Sequence, residues 1–259
     1  MPRTVTVTVG VDATRESMVA AEWGADEAAS RGRPLRLVHV WSPGTDAVTP
    51  VVDRGSERHA AERLLHAVAG HVHRHRPEVQ VETDQLHGSP VQGLCDVSED
   101  AELLVLGSRR LGSLTGFVGG SLSQAVLARV RRPVVLVRAH GPASGDVVLG
   151  VDPERPSDEV AAFAFASADR YGCGVRLVAA EASPEDLLAR WAQEYPGVAV
   201  TRTGGPGRMA RELAEASHGA RLVVLGHRRR RVPWGARVGP VVHAVMHDAA
   251  APVAVVPHR

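Results

Sequence analysis

The sequence contains no lysine, no asparagine and no isoleucine in its 259 residues. Without lysine there is no Walker A loop, which needs a Lys to reach the β- and γ-phosphates. Schiff-base chemistry and a protein-kinase ATP lysine are excluded on the same ground. Aromatic residues are only 3% of the chain, so although the hydrophobic share is 44%, its cores must be built from Val, Leu and Ala. The two cysteines, Cys95 and Cys173, lie far apart and form no CxxC. That predicts neither a disulfide framework nor a redox pair, but a reduced, cytoplasmic chain with both thiols as small core residues. No run of about eighteen apolar residues occurs, so no membrane-spanning helix is expected. The opening MPRTVTVTVGVD enters an alternating apolar segment without a signal peptide's hydrophobic stretch. Net charge is +1, which gives no electrostatic reason to expect nucleic acid or an anionic membrane as partner.

What is present is an alternation of short apolar runs with helical periodicity. Val5 to Val11 predicts a strand ending in the carboxylate of Asp12. Ser17 to Arg31 has helical spacing and is stopped by Gly32. Leu35 to Trp41 predicts a second strand, residues 42 to 55 a loop, and Glu57 to His75 a polar helix ended by Pro77. Val79 to Thr83 is the expected third strand, followed by a turn over residues 87–90 and a short helix over 90–97. Leu103 to Leu106 and Pro133 to Val137 complete five strands. Strands alternating with helices predict an open parallel sheet covered on both faces, a Rossmann-like α/β fold.

The pattern then repeats. Gly150-Val151-Asp152 matches Gly10-Val11-Asp12, and Val175-Arg176-Leu177-Val178 matches Leu35-Arg36-Leu37-Val38, both displaced by 140 residues. From the third strand onward the displacement is 119: Val198-Ala199-Val200 on Val79-Gln80-Val81, Leu225-Gly226 on Leu106-Gly107, Pro252-Val253 on Pro133-Val134. One deletion of 21 residues between strands two and three accounts for the change. The expected organisation is two tandem five-stranded α/β domains, residues 1–138 and a shorter 146–259, joined by the linker AHGPASG over 139–145.

One stretch carries chemistry. The run Leu103 to Ser121, LLVLGSRRLGSLTGFVGGS, leaves a buried strand, crosses a Gly-rich loop and enters a helix. Free N–H groups and the positive dipole end at such a helix start favour an anion, and glycines allow its close approach. Ser121 is placed as the helix N-cap. In an open parallel sheet, ligands bind beyond the carboxyl ends of the strands where strand order reverses, so Asp12 and this loop should face one site.

These residues resemble the universal stress proteins in their tandem two-domain form. That family's nucleotide motif is Gly, two residues, Gly, nine residues, Gly, then Ser or Thr. The first copy reads Gly107-Ser108-Arg109-Arg110, nine residues, Gly120-Ser121, with Arg110 in place of the second glycine. The resemblance implies an adenine nucleotide alpha hydrolase-like fold, ATP as ligand with Mg as an optional companion, and stress adaptation as the setting. It assigns Asp12 and Val40 to adenine and ribose, and Gly107, Gly120, Ser121 and Leu122 to phosphates and ribose. Arg110 either holds the loop's middle away from positive φ or extends its guanidinium to a phosphate. The second copy reads Gly226-His227-Arg228-Arg229, nine residues, Gly239-Pro240, and departs from the motif at Arg229 and Pro240. Asp152, Gly226 and Gly239 therefore mark a second, weaker site. As in the family, the two copies are expected to pair about a pseudo-two-fold axis through their fifth strands, and a homodimer is a further option.

Two other readings remain open. A scaffolding protein that binds no nucleotide is favoured by Arg110, Arg229 and Pro240, and slow ATP hydrolysis is compatible with the same site. An adenylating enzyme of this architecture would carry an SGGxDS-type loop after strand one, which Val9 to Thr14 is not. His71, His73 and His75, and the pair His243 and His247, have no HExxH or clustered carboxylates around them, so no metal centre is predicted.

Overall fold

The computed structural model describes residues 5–41, 54–108, 119–138, 144–152, 155–179, 185–203, 209–229 and 238–258, without the side chains of 54–56, 119–121 and 185–187. Arg110, most of the expected linker and the loop after strand two lie outside these residues. The chain divides into two compact units, each with five described strands.

The first unit runs β1 (Thr6–Gly10), α1 (Arg15–Arg31), β2 (Leu35–Trp41), α2 (Arg54–His75), β3 (Val81–His87), α3 (Pro90–Ser98), β4 (Ala101–Gly107), α4 (Gly119–Leu127) and β5 (Val134–Val137). Its strands lie in the order β3-β2-β1-β4-β5, every pair parallel. The second unit runs β6 (Val147–Val151), α5 (Asp158–Tyr171), β7 (Val175–Ala179), α6 (Glu185–Glu194), β8 (Val200–Thr203), α7 (Met209–Ala216), β9 (Leu222–Arg228), α8 (Pro240–Asp248) and β10 (Val253–His258). Its order, β8-β7-β6-β9-β10, is the same parallel topology. The expected α/β architecture in two copies is thus present. The order reverses between β1 and β4 in one unit and between β6 and β9 in the other.

The predicted internal repeat holds at the level of register. Leu35 pairs with Val81 in the first unit and Val175 with Val200 in the second, which reproduces the displacements of 140 and 119. Helices α1 and α5 both end in a left-handed glycine, Gly32 (φ 60°) and Gly172 (φ 64°), whose N–H bonds back to the last turn. The 21-residue deletion leaves a helix in place: α2 has 22 residues and α6 has 10.

The third strand starts two residues later than its apolar pattern predicts and runs further. Val79 plugs the turn after α2, its N–H bonded to the Arg76 carbonyl at 3.2 Å, and is buried without being in the strand. The strand continues through Thr83, Asp84 and Gln85, because an edge strand meets water and tolerates polar residues. Asp84 is held there by an ion pair with Arg36 of β2. The second unit repeats the difference, with β8 at Val200–Thr203.

The core is as aliphatic as the composition requires: Val7, Val9, Leu103, Leu104 and Val105 are fully buried in the centre of the first sheet. Two glycines let elements approach beyond what a side chain permits. A Cβ on Gly24 of α1 would lie 2.5 Å from Val9 Cγ2. One on Gly107, at the end of β4, would lie 2.6 Å from the Glu16 carbonyl carbon and 2.8 Å from the Ser17 nitrogen. The first turn of α1 therefore rests directly on the end of β4.

The other end of α1 is fixed by charge. Arg31, nearly buried, donates to Glu27 at 2.6 Å and to Glu102 of β4 at 2.6 Å, and Arg33 donates to the second Glu102 oxygen at 2.9 Å. Burial works to raise the Glu102 pKa, but the hydrogen bonds and charges of Arg31 and Arg33 outweigh it and hold the carboxyl below its ordinary value.

Two outcomes follow. A Glu102 pKa depressed by folding contributes stability that is complete above the unfolded carboxylate value of about 4.3 and is lost as pH falls through the folded value. Urea midpoints measured on descending pH should fall more steeply for the wild type than for Glu102→Gln below about pH 4.3. Gly107→Ala should lower stability by about 1–3 kcal/mol, since backbone atoms cannot yield as a side-chain tip does. Gly70→Ala, in the middle of α2 with only the tip of Arg74 nearby at 3.7 Å, should instead raise it by about 0.5–1 kcal/mol. Urea unfolding of both variants checks the contrast.

Candidate functional site

At the reversal between β1 and β4 lies an open cleft of about 320 Å³. Its floor is made where Gly10 packs against Leu94 of α3 and Leu106 of β4, a contact in which a Cβ would meet Leu106 Cδ2 at 2.8 Å. Asp12, Val40, Gly107 and Leu122 all line it, so four of the residues singled out in sequence converge on one place.

Asp12 has two jobs. Its Oδ1 accepts the Thr14 backbone N–H at 2.9 Å and the Thr14 hydroxyl, and its carbonyl accepts from Ser17 Oγ at 2.6 Å. Thr14 in turn is the N-cap of α1, accepting from Ser17 N at 3.2 Å. The bonds ascribed to a helix-entrance aspartate are therefore present, and they aim an exposed carboxylate into the cleft mouth. Asp12 thus belongs both to the entrance of α1 and to the lining of the cleft.

On β2, the Val38 carbonyl accepts the Val11 N–H at 2.8 Å, and His39 Nδ1 lies 2.7 Å from the Val11 carbonyl oxygen. A carbonyl only accepts, so Nδ1 carries the proton in that bond. His39 and Glu16 line the cleft and were not singled out from the sequence. The available signal was alternation along β2, which sends His39 to the face opposite Val38 and Val40, beside the strand-one turn.

The fourth-strand side differs from expectation in two ways. Gly107 is needed for the approach of α1, whatever else it does. Helix α4 begins at Gly119, so Ser121 is its third residue and not its N-cap. Gly120 and Ser121 still belong to the first turn, whose N–H groups have no acceptor within the helix. Arg110 is outside the described residues.

The second unit has its own cleft at the same place, about 560 Å³ in volume, lined by Asp152, Gly226 and Gly239. Helix α8 starts at Pro240 with Gly239 as N-cap, as a first-position proline allows. Gly226 is crossed by the ring of His258, which lies 2.9 Å from where its Cβ would be. Burial, and then the nearby His258, holds the His227 imidazole below its ordinary value.

The remaining sequence candidates are structural. His71 pairs with Glu22 at 2.5 Å and His75 with Asp26 at 2.9 Å, tying α2 to α1, while the rings of His243 and His247 meet edge to face at 4.4 Å. Among the described residues no three His, Cys, Asp or Glu side chains are grouped to hold a metal ion. Cys95 and Cys173 are free, half-buried thiols whose pKa values burial pushes up, so they are poor thiolates. No helix among the described residues is long and apolar enough to cross a membrane.

Comparison with known proteins agrees with this architecture. The profile of the universal stress protein family matches residues 5–138 and 177–257, one segment in each unit. A universal stress protein of Mycobacterium tuberculosis is 31% identical over 298 aligned positions, covering 96% of both chains. One from Mycolicibacterium smegmatis is also 31% identical, over 98% of this chain and 97% of its own. A solved universal stress protein structure from Archaeoglobus fulgidus superposes with a TM-score of 0.77 at 18% identity, over 97% of this chain and 98% of its own, which shows the shared fold. With its profile matched in both units and its relatives aligned nearly end to end, the chain belongs to the universal stress protein family.

Proposed function

We propose that the first cleft binds ATP and that the protein is a nucleotide-binding regulator of stress adaptation. The observation that carries this reading is the convergence of Asp12, the end of β2 and the first turn of α4 on one cleft at the strand-order reversal. Its volume lies at the low end of the range of about 300–1,000 Å³ typical of small-molecule sites. Val38, Val40, Leu94 and Leu122 offer apolar surface for a flat base. The exposed Asp12 carboxylate lines the cleft and is of the acceptor type that ribose hydroxyls need. The α4 N–H groups and helix dipole supply the electrostatics a phosphate chain needs. Mg fits as an ion carried on the phosphates with water ligands, since such ions are usually held by one or two carboxylates plus the substrate. Asp12 is the group nearest to a general base, and its bonds to Thr14 suit it to binding, not to proton transfer.

The two clefts are unequal in this reading. Val38 and His39 line the first, whereas their counterparts Val178 and Ala179 do not line the second. Pro240 also removes an N–H at the start of α8.

Isothermal titration of nucleotide-free protein with MgATP should show one strong site per chain. Asp12→Ala, which removes a charged acceptor, and Gly120→Val, whose side chain obstructs the phosphate's approach to the backbone, should each weaken it by about tenfold or more. Gly239→Val should leave it unchanged, with circular dichroism confirming that all three fold. Unaltered affinity in both first-cleft variants would reject the site, and two equal sites would reject the inequality.

A further inference from the structure

The second cleft occupies the place of the first but has different chemistry. The path from β6 into α5 differs at the start: α1 begins at Arg15 behind its Thr14 cap, whereas α5 begins at Asp158 behind Ser157, three residues later on the shared displacement of 140. The cleft residue Glu16 is thereby replaced in sequence by Pro156, and Arg155 stands on the rim. Strands β9 and β10 reach Arg228 and His258, which pair in register and both line the cleft.

The charged residues on the two described linings differ as well, with Arg109, the counterpart of Arg228, outside the described residues. Among described residues the first cleft is lined by two carboxylates, Asp12 and Glu16, and by no arginine. The second is lined by Arg155 and Arg228 against Asp152. Neither arginine has an ion-pair partner among the described residues. Asp158 and Glu159 border an adjoining hollow, but Asp158 is paired with Arg190 and Glu159 accepts from Ser157 Oγ at 2.9 Å. Opposite the arginines the wall is apolar: Met209 and Leu213 of α7, Leu225 of β9, and Val241 and Val242 of α8. Val242 stands where the first cleft has Ser123.

From this juxtaposition we infer that the second cleft binds an organic anion with an apolar body, its carboxylate or phosphate head between Arg155 and Arg228 and its body along α7 and α8. The cationic side chains take the place of the N–H that Pro240 lacks. The apolar wall, which the first cleft shares through Leu94, Leu106 and Leu122, is extended by Met209 and Val242 where the first cleft has Pro90 and Ser123.

The test is titration calorimetry of the full chain with decanoate, alone and with saturating MgATP, and with decyl phosphate and decanol as companions. Decanoate and decyl phosphate should bind saturably, and whichever is tighter identifies the head group; decanol should bind more weakly than both. The double variant Arg155→Gln/Arg228→Gln should lose at least about tenfold in affinity for both anions. Val241→Asp, at a half-buried position of α8, should do the same, while Asp12→Ala should leave decanoate binding unchanged. Failure of both anions to bind folded wild-type protein would overturn the inference. So would affinity indifferent to the arginines, or displacement of decanoate by MgATP, which would make the cleft a second nucleotide site. Absence of ATP binding in the first cleft would leave the decanoate result standing, so the two proposals fail separately.

Discussion

The contact on which the first unit's site depends is that between Gly107 and the backbone of Glu16 and Ser17. Because no side chain intervenes, the first turn of α1 sits on the end of β4 and the Asp12-Thr14-Ser17 hydrogen bonds close over the gap between β1 and β4. The cleft lies where the strand order reverses, and its mouth takes its shape from that close backbone contact. At the far end, Arg31 and Glu102 join the same helix to the same strand. Helix α1 is thus held to β4 at both ends, by sterics at one and by charge at the other.

The second unit shows what happens when this constraint is relaxed. Gly226 keeps its glycine, but its neighbours are the His258 ring and Val160, not the backbone of the following helix. Helix α5 starts later, and the space released admits Arg155, Arg228 and His258 to the rim. One frame, copied and shortened, thereby yields two clefts whose described linings carry different charged residues. A glycine shared by both copies serves a different packing need in each.

Much of this was legible along the chain. The ten strands, their parallel arrangement in two units and the place of the cleft follow from apolar runs, glycine stops and the displacements of 140 and 119. Asp12 and Gly107 stand out because each ends a strand at the reversal. Less legible was anything set by an edge or by a neighbour distant in sequence. The third strand was misplaced by two residues because at a sheet edge burial no longer marks the strand: Val79 is buried outside it, and Asp84 and Gln85 are polar within it. Ser121 was placed as an N-cap because the glycines before it resemble loop, whereas the helix incorporates Gly119 and Gly120.

By itself the sequence determined the fold class, the duplication and the end of each sheet where a cleft opens, because these rest on periodicity and on backbone needs local to a few residues. Only the tertiary structure decided which side chains meet. His39 reaches the Val11 carbonyl across two strands, Glu102 draws together Arg31 and Arg33 from some seventy residues away, and His258 crosses Gly226 from the end of the chain. The character of the second cleft belongs to the same class. Its lining brings together residues from the α5 entrance, α7, β9, α8 and the end of β10, which no single segment's pattern places side by side.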